Sequence, residues 1–225
     1  ATFNNTFDAI RTVTLSGESG NVDFSSGLGD RLLENDIKVD ATDLDVGSVD
    51  VAGARVVDGQ TITIDASSRE GDLNIDGDVR ADGGLVDIQV DGAEGDTLIT
   101  GELRSQAGEV QINAKGAEGD VVVSGAIDAK DGGTLDIDAQ NMEGDLIVSG
   151  GSKIRAGTID INTSNLEGSG VVVADNMRAA DESSITVTAA AMEADFTASN
   201  MRVDEGTLDL DFTDIEAANV QVGDL

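Results

Sequence analysis

Along most of this chain apolar residues alternate with polar ones in short runs, and the same run returns about every 24 residues. Its cleanest form reads Ile62/Ile64/Ala66, Val86/Ile88/Val90, Val110/Ile112/Ala114, Leu135/Ile137/Ala139, Ile159/Ile161/Thr163, Ile185/Val187/Ala189 and Leu208/Leu210/Phe212. Successive side chains of a strand point to opposite sides, so a period of two places each set on one face, which must be the interior. A second run carries Leu73/Ile75, Ile99, Val121/Val123, Leu146/Val148 and Val171/Val173. A third apolar position follows a short turn, at Val79, Leu103, Ile127, Ile154, Met177 and Met201. A fourth precedes each new copy, at Ala93, Ala117, Met142, Leu166, Met192 and Ile215.

Aligned on a Glu-Gly-Asp start, the copies open at Glu70, Glu94, Glu118, Glu143, Glu167, Glu193 and Glu216. A fixed period with no room for a long helix in each unit predicts a solenoid in which each copy is one coil. The expected fold is all-β: a right-handed parallel β-helix of roughly triangular section, with about eight coils. Residues 1–21 are expected to form an entry or cap segment leading into a first strand at 12–15, and residues 22–225 the β-helix, regular from Val46. Glycines fall between the runs, at Gly77, Gly101, Gly125 and Gly150 and again at Gly83, Gly84, Gly108, Gly132, Gly133, Gly157 and Gly206. There they are expected to supply the positive φ of tight corners. The chain has no proline, as suits a ladder in which nearly every amide donates. A β-sandwich is the alternative, but it gives no reason for the sequence to repeat.

Charge narrows the function classes. With 45 acidic and 13 basic residues the net charge is -32. No basic face is available for nucleic acid or for an anionic membrane surface, and no apolar run is long enough to span a bilayer. The chain has neither cysteine nor histidine, so a disulfide, a thiolate nucleophile and the usual zinc ligands are all excluded. It begins at Ala1 without a signal peptide, and no atypical C-terminal coil is evident. It therefore reads as a mature or excised piece, or as a protomer that stacks on a neighbour.

In a stack of coils, equivalent positions lie about 4.8 Å apart and become columns. The repeat glutamates form one such column, with Asp72, Asp96, Asp120, Asp145 and Asp195 beside it. Neighbouring carboxylates at that separation repel by roughly 3 kcal/mol at an effective dielectric near 20, so something must offset them. Calcium is one candidate, with Glu94, Asp96, Glu118, Asp120, Glu143 and Asp145 as expected ligands. Arginine pairing or plain solvation is the other. An arginine column does exist, Arg80, Arg104, Arg155, Arg178 and Arg202, interrupted by Asp128. Four outward aliphatics, Leu98, Val122, Ile147 and Val172, are expected to line up as an exposed patch and so as an interface, either for self-association with a neighbouring protomer or with another domain of the same chain. Paired carboxylates also suit glycan hydrolysis, but the chain has no Tyr or Trp to stack on sugars and no acidic cluster that departs from the repeat.

The low-aromatic, Asp/Gly/Thr/Val-rich composition, the segment Asn5-Thr6-Phe7-Asp8-Ala9-Ile10-Arg11-Thr12-Val13-Thr14-Leu15 and the coil pattern from residue 46 resemble the β-solenoid regions of bacterial surface-layer proteins and of RTX-type secreted proteins. The defining RTX nonapeptide GGxGxDxUx is absent: residues 82–87 and 130–135 lack its further glycine and aspartate. The resemblance implies an extracellular, non-catalytic structural component that self-assembles into a layer or filament, with calcium as its ion. An adhesin stalk that binds a cell-surface glycan is the second expectation, and a glycan-active β-helix enzyme the third.

Overall fold

The computed structural model describes residues 12–17, 22–24, 28–33, 36–44, 47–57, 59–149, 154–166, 171–175, 177–179, 183–215 and 219–223. Its strands all pair in parallel, each with strands one coil away, and the chain forms a β-solenoid of about seven turns with a repeat of about 24 residues. A nine-stranded sheet built on the shorter run extends from Val22–Phe24 to Val220–Val222. From Val49 its partners step to Leu73, Thr97, Val121, Leu146, Val172, Phe196 and Val220, so that each coil returns the chain to the same place one strand spacing further on.

The other two faces belong to a single 15-stranded sheet. One face stacks Ala54–Val56, Val79–Asp82 and Leu103–Gln106, and the other stacks Ile62–Asp65, Leu85–Gln89 and Glu109–Asn113. Ile127–Asp138 and Ile154–Asn162 then run through the corner as unbroken strands and join the two. At Gly132-Gly133, where a turn is expected, the chain makes a register shift inside the strand instead, with Asp131 and Gly132 at φ 53° and 85°. Residues 12–17 of the expected entry segment form a strand in register with Ile37–Leu44. Phe3 and Phe7 lie outside the described residues.

The interior is the set of alternating positions read above. Val86, Ile88, Val110, Ile112, Leu135, Ile137, Ile159, Ile161, Ile185 and Val187 are all fully buried, while the residues between them keep contact with solvent to varying degrees. Two hydroxyl residues inside are satisfied by the stack itself. Ser105 Oγ donates to the Gly84 carbonyl at 2.6 Å, and Thr163 Oγ1 donates to the Thr188 carbonyl at 3.3 Å. Near the last described coils Phe196 replaces the aliphatic of the first run and meets Phe212 edge-on at 4.9 Å, filling the lumen with rings.

At most of the named corners glycine answers a different need from the positive φ expected. A Cβ on Gly101 would lie 2.0 Å from the Gly77 carbonyl oxygen, and one on Gly125 would lie 1.9 Å from that of Gly101, so these columns are glycine because stacked backbones approach too closely for any side chain. Gly83 and Gly132 do take the expected positive φ, at 80° and 85°, but a longer positive-φ column runs through Ser68, Gly92, Gly116, Asn141, Asn165, Ala191 and Asp214, where only two of seven residues are glycine.

Candidate functional site

The repeat makes the surface a set of columns, and each column named from sequence can now be placed. Glu70, Glu94, Glu118, Glu143 and Glu193 are all exposed, and none enters an ion pair among the described residues; Glu167 and Glu216 lie outside them. The aspartates beside them are occupied by the fold. Asp72 Oδ1 accepts the Asp96 amide at 3.0 Å, Asp96 Oδ1 accepts the Asp120 amide at 3.0 Å, and Asp120 Oδ1 accepts the Asp145 amide at 2.8 Å. Asp195 does the same for Asn219 at 2.8 Å. Each of these four carboxylates therefore accepts an amide of the next coil, which offsets part of the repulsion along the aspartate column.

Among the described residues no three acidic groups converge closely enough to hold a metal ion. Two carboxylates per coil, a Glu and an Asp, each repeated at the strand separation, present a ridge and not a cage. The expected calcium ligands Glu94, Asp96, Glu118, Asp120, Glu143 and Asp145 are thus side by side along the rod but do not surround a common point.

The arginine column is real and longer than expected, since Arg55 joins it: Arg55, Arg80, Arg104, Asp128, Arg155, Arg178 and Arg202 are successive register partners. It does not neutralise the Glu/Asp ridge. Arg80 pairs with Asp78 and Glu102 at 2.7 Å each, Arg55 with Asp82 at 3.7 Å, and Arg178 and Arg202 converge on Asp204. Those two guanidiniums hold the Asp204 carboxyl below the usual carboxylate range. Asp128 turns to Lys130 at 3.0 Å, leaving Arg155 without an ionic partner among the described residues, and a cleft of about 220 Å³ opens between Asp128, Lys130, Arg155 and Arg178.

The apolar column needs one correction. Leu98, Val122 and Ile147 are register partners, and Leu98, 40 % exposed, is one of few exposed large apolar side chains among the described residues. Val172, however, pairs with Leu146 and then Phe196, which belong to the inward set, and it is Val173 that follows Ile147. Three consecutive valines carry no alternation, so the run has no phase of its own; its neighbours set it, over a step of 26 residues from Leu146.

Two features escaped the sequence reading. Thr100, Ser124 and Ser149 form a hydroxyl column on the far side of the apolar one, each donating its amide one coil back, to Ile75, Ile99 and Val123. The signal was there, a hydroxyl residue after the last apolar residue of three consecutive copies. Arg69 occupies the place of Ala93 and Ala117 in the fourth apolar column and is 1 % exposed, its guanidinium donating to the Gly47 and Asp72 carbonyls. Burial holds its pKa below the usual arginine value. No family model, curated protein or solved structure matches this chain.

Proposed function

We propose that this chain is a non-catalytic structural rod of the bacterial cell surface, a right-handed β-solenoid of about eight coils that self-associates into an extracellular layer or filament. The observation that supports this reading is the uniformity of its surface. Acidic, arginine, hydroxyl and apolar residues recur coil after coil, as an assembly element needs and as a catalytic centre, which requires one unrepeated constellation, does not. The acidic composition and the resemblance of the coil pattern to surface-layer solenoids support the extracellular location. Calcium enters only through the ridge as a whole, because its carboxylates do not converge within one copy. Small-angle scattering with sedimentation, run from chelator to millimolar calcium, tests both parts. Growth from a rod of roughly 40 Å, about eight strand spacings, to longer or wider particles is the expected result. A fixed rod at every concentration, salt and calcium level would remove the assembly reading.

The cleft at Lys130, Arg155 and Arg178 favours one second reading, a stalk that binds an acidic cell-surface glycan through guanidinium groups. Calorimetric titration with an oligouronate separates it: heat lost in Arg155→Ala supports the stalk, and no heat with the unaltered chain removes it.

A further inference from the structure

The face built on Leu73–Ile75, Thr97–Ile99, Val121–Val123 and Leu146–Val148 carries three outward columns side by side, because residues i, i+2 and i+4 share one side of a strand. Across three consecutive coils these read Asp96-Leu98-Thr100, Asp120-Val122-Ser124 and Asp145-Ile147-Ser149. One edge is acidic, the centre apolar and the other edge hydroxyl. The edges are chemically ready for a partner. Asp96 and Asp120 each use one carboxylate oxygen on an amide of the next coil, and their second oxygens have no hydrogen-bond partner among the described residues. The hydroxyls of Thr100, Ser124 and Ser149 likewise donate to no described residue.

We propose that this face docks a second copy of the chain, side by side and parallel. The inference rests on the assembly reading above and names its surface. Two arguments select the occupant. A second copy has the same rise per coil, so its columns meet these coil for coil along the rod, whereas a partner of another pitch falls out of step after one or two. The order of the columns then selects the direction. A twofold axis running along the rods, between the apolar columns, sets the aspartates of each copy against the hydroxyls of the other and Leu98 against Leu98. An axis across the rods sets aspartate against aspartate and hydroxyl against hydroxyl, which repel or leave donors idle. The patch is small beside the roughly 1,200 Å² of a stable complex, and each copy carries a charge of -32, so the pair is weak and strengthens as salt screens the repulsion.

The chain has no native cysteine, so single thiols report the contact cleanly. Leu98→Cys, Val122→Cys, Ile147→Cys and a control on another face, Gln111→Cys, are oxidised gently in 1 M NaCl, with circular dichroism confirming that each is folded. Parallel docking makes Leu98→Cys and Ile147→Cys each form its own dimer, and their mixture gives far less mixed dimer than chance, because the two thiols lie two coils apart. Adding Val122→Asp to Leu98→Cys abolishes that dimer. The proposal is overturned if Val122→Cys alone dimerises while Leu98→Cys joins only Ile147→Cys, the antiparallel pattern, since a disulfide needs Cα atoms within about 7 Å. It is also overturned if Gln111→Cys dimerises as readily as Leu98→Cys. Sedimentation of the unaltered chain separates the two levels. Association without these crosslinks overturns only the surface, and a monomer at every salt and concentration overturns the assembly reading as well.

Discussion

Burial pushes the Asp136 carboxyl above the ordinary carboxylate value of 3.8, and Asp160 in the next coil adds to it, while a hydrogen bond from Gln111 opposes both. A raised folded pKa means the folded state holds the proton more tightly than the unfolded chain. The resulting stability is fully present below the unfolded value and is lost as pH rises through the folded one. Asp136→Asn, which cannot ionise, should therefore melt higher than the parent at pH 7, with the gain vanishing near pH 3. Melting curves at the two pH values check it, and an equal gain at both would point to packing instead. Backbone strain supplies a second prediction. Ala107 and Ala191 sit at φ 60° and 53°, where an L-residue with a Cβ loses about 1 kcal/mol or more and glycine does not. Ala107→Gly and Ala191→Gly should each raise the urea midpoint, and Gly101→Ala, which drives a Cβ into the Gly77 carbonyl, should lower it sharply.

At the level of a coil, polar groups that look like ligands are bound up in holding one turn to the next. Asp96 separates the two roles. Asp96→Ala removes the acceptor for the Asp120 amide and should cost about 1 kcal/mol, whereas Asp96→Asn keeps an oxygen there, sheds a repelling charge and should cost less than half as much. Chemical denaturation of the two variants at low salt makes the comparison. Arg69 poses the corresponding question inside. Its column is apolar elsewhere, with Met142 and Met192 in the equivalent place, so Arg69→Met exchanges a buried cation for a side chain the lumen already accepts. That variant should match or exceed the parent in stability. Arg69→Ala, which leaves a void and takes the guanidinium donor from the Gly47 carbonyl while Asp72 keeps the Val49 amide, should fall below it by about 2 kcal/mol or more.

For the whole molecule the consequence of stacking is that each coil touches only its neighbours, and stability is close to a sum over coils and their interfaces. Register partners 24 residues apart on both sides of the coil that begins at Glu94 let it be removed without disturbing alignment, since Leu73 would then meet Val121 directly. A chain lacking residues 94–117 should fold with unchanged strand content and a rod shorter by about 4.8 Å in scattering. Deleting 23 or 25 residues at the same place turns one strand inside out and should abolish cooperative unfolding.

The sequence by itself determined the solenoid, its period, the inward columns and the alignment of the acids, arginines and aliphatics, because a strand's alternation and a coil's repeat are local properties that every copy states again. Ile112 must be inside and Arg104 outside whatever the neighbouring chain does. Only the tertiary structure decided matters in which two coils compete for the same space or bond. Val173 and not Val172 follows Ile147 because a run of three valines takes its phase from Phe196. The glycine corners are set by how near the next backbone comes, and the aspartates are committed to amides one turn away, residues that sequence distance keeps 24 or 25 positions apart.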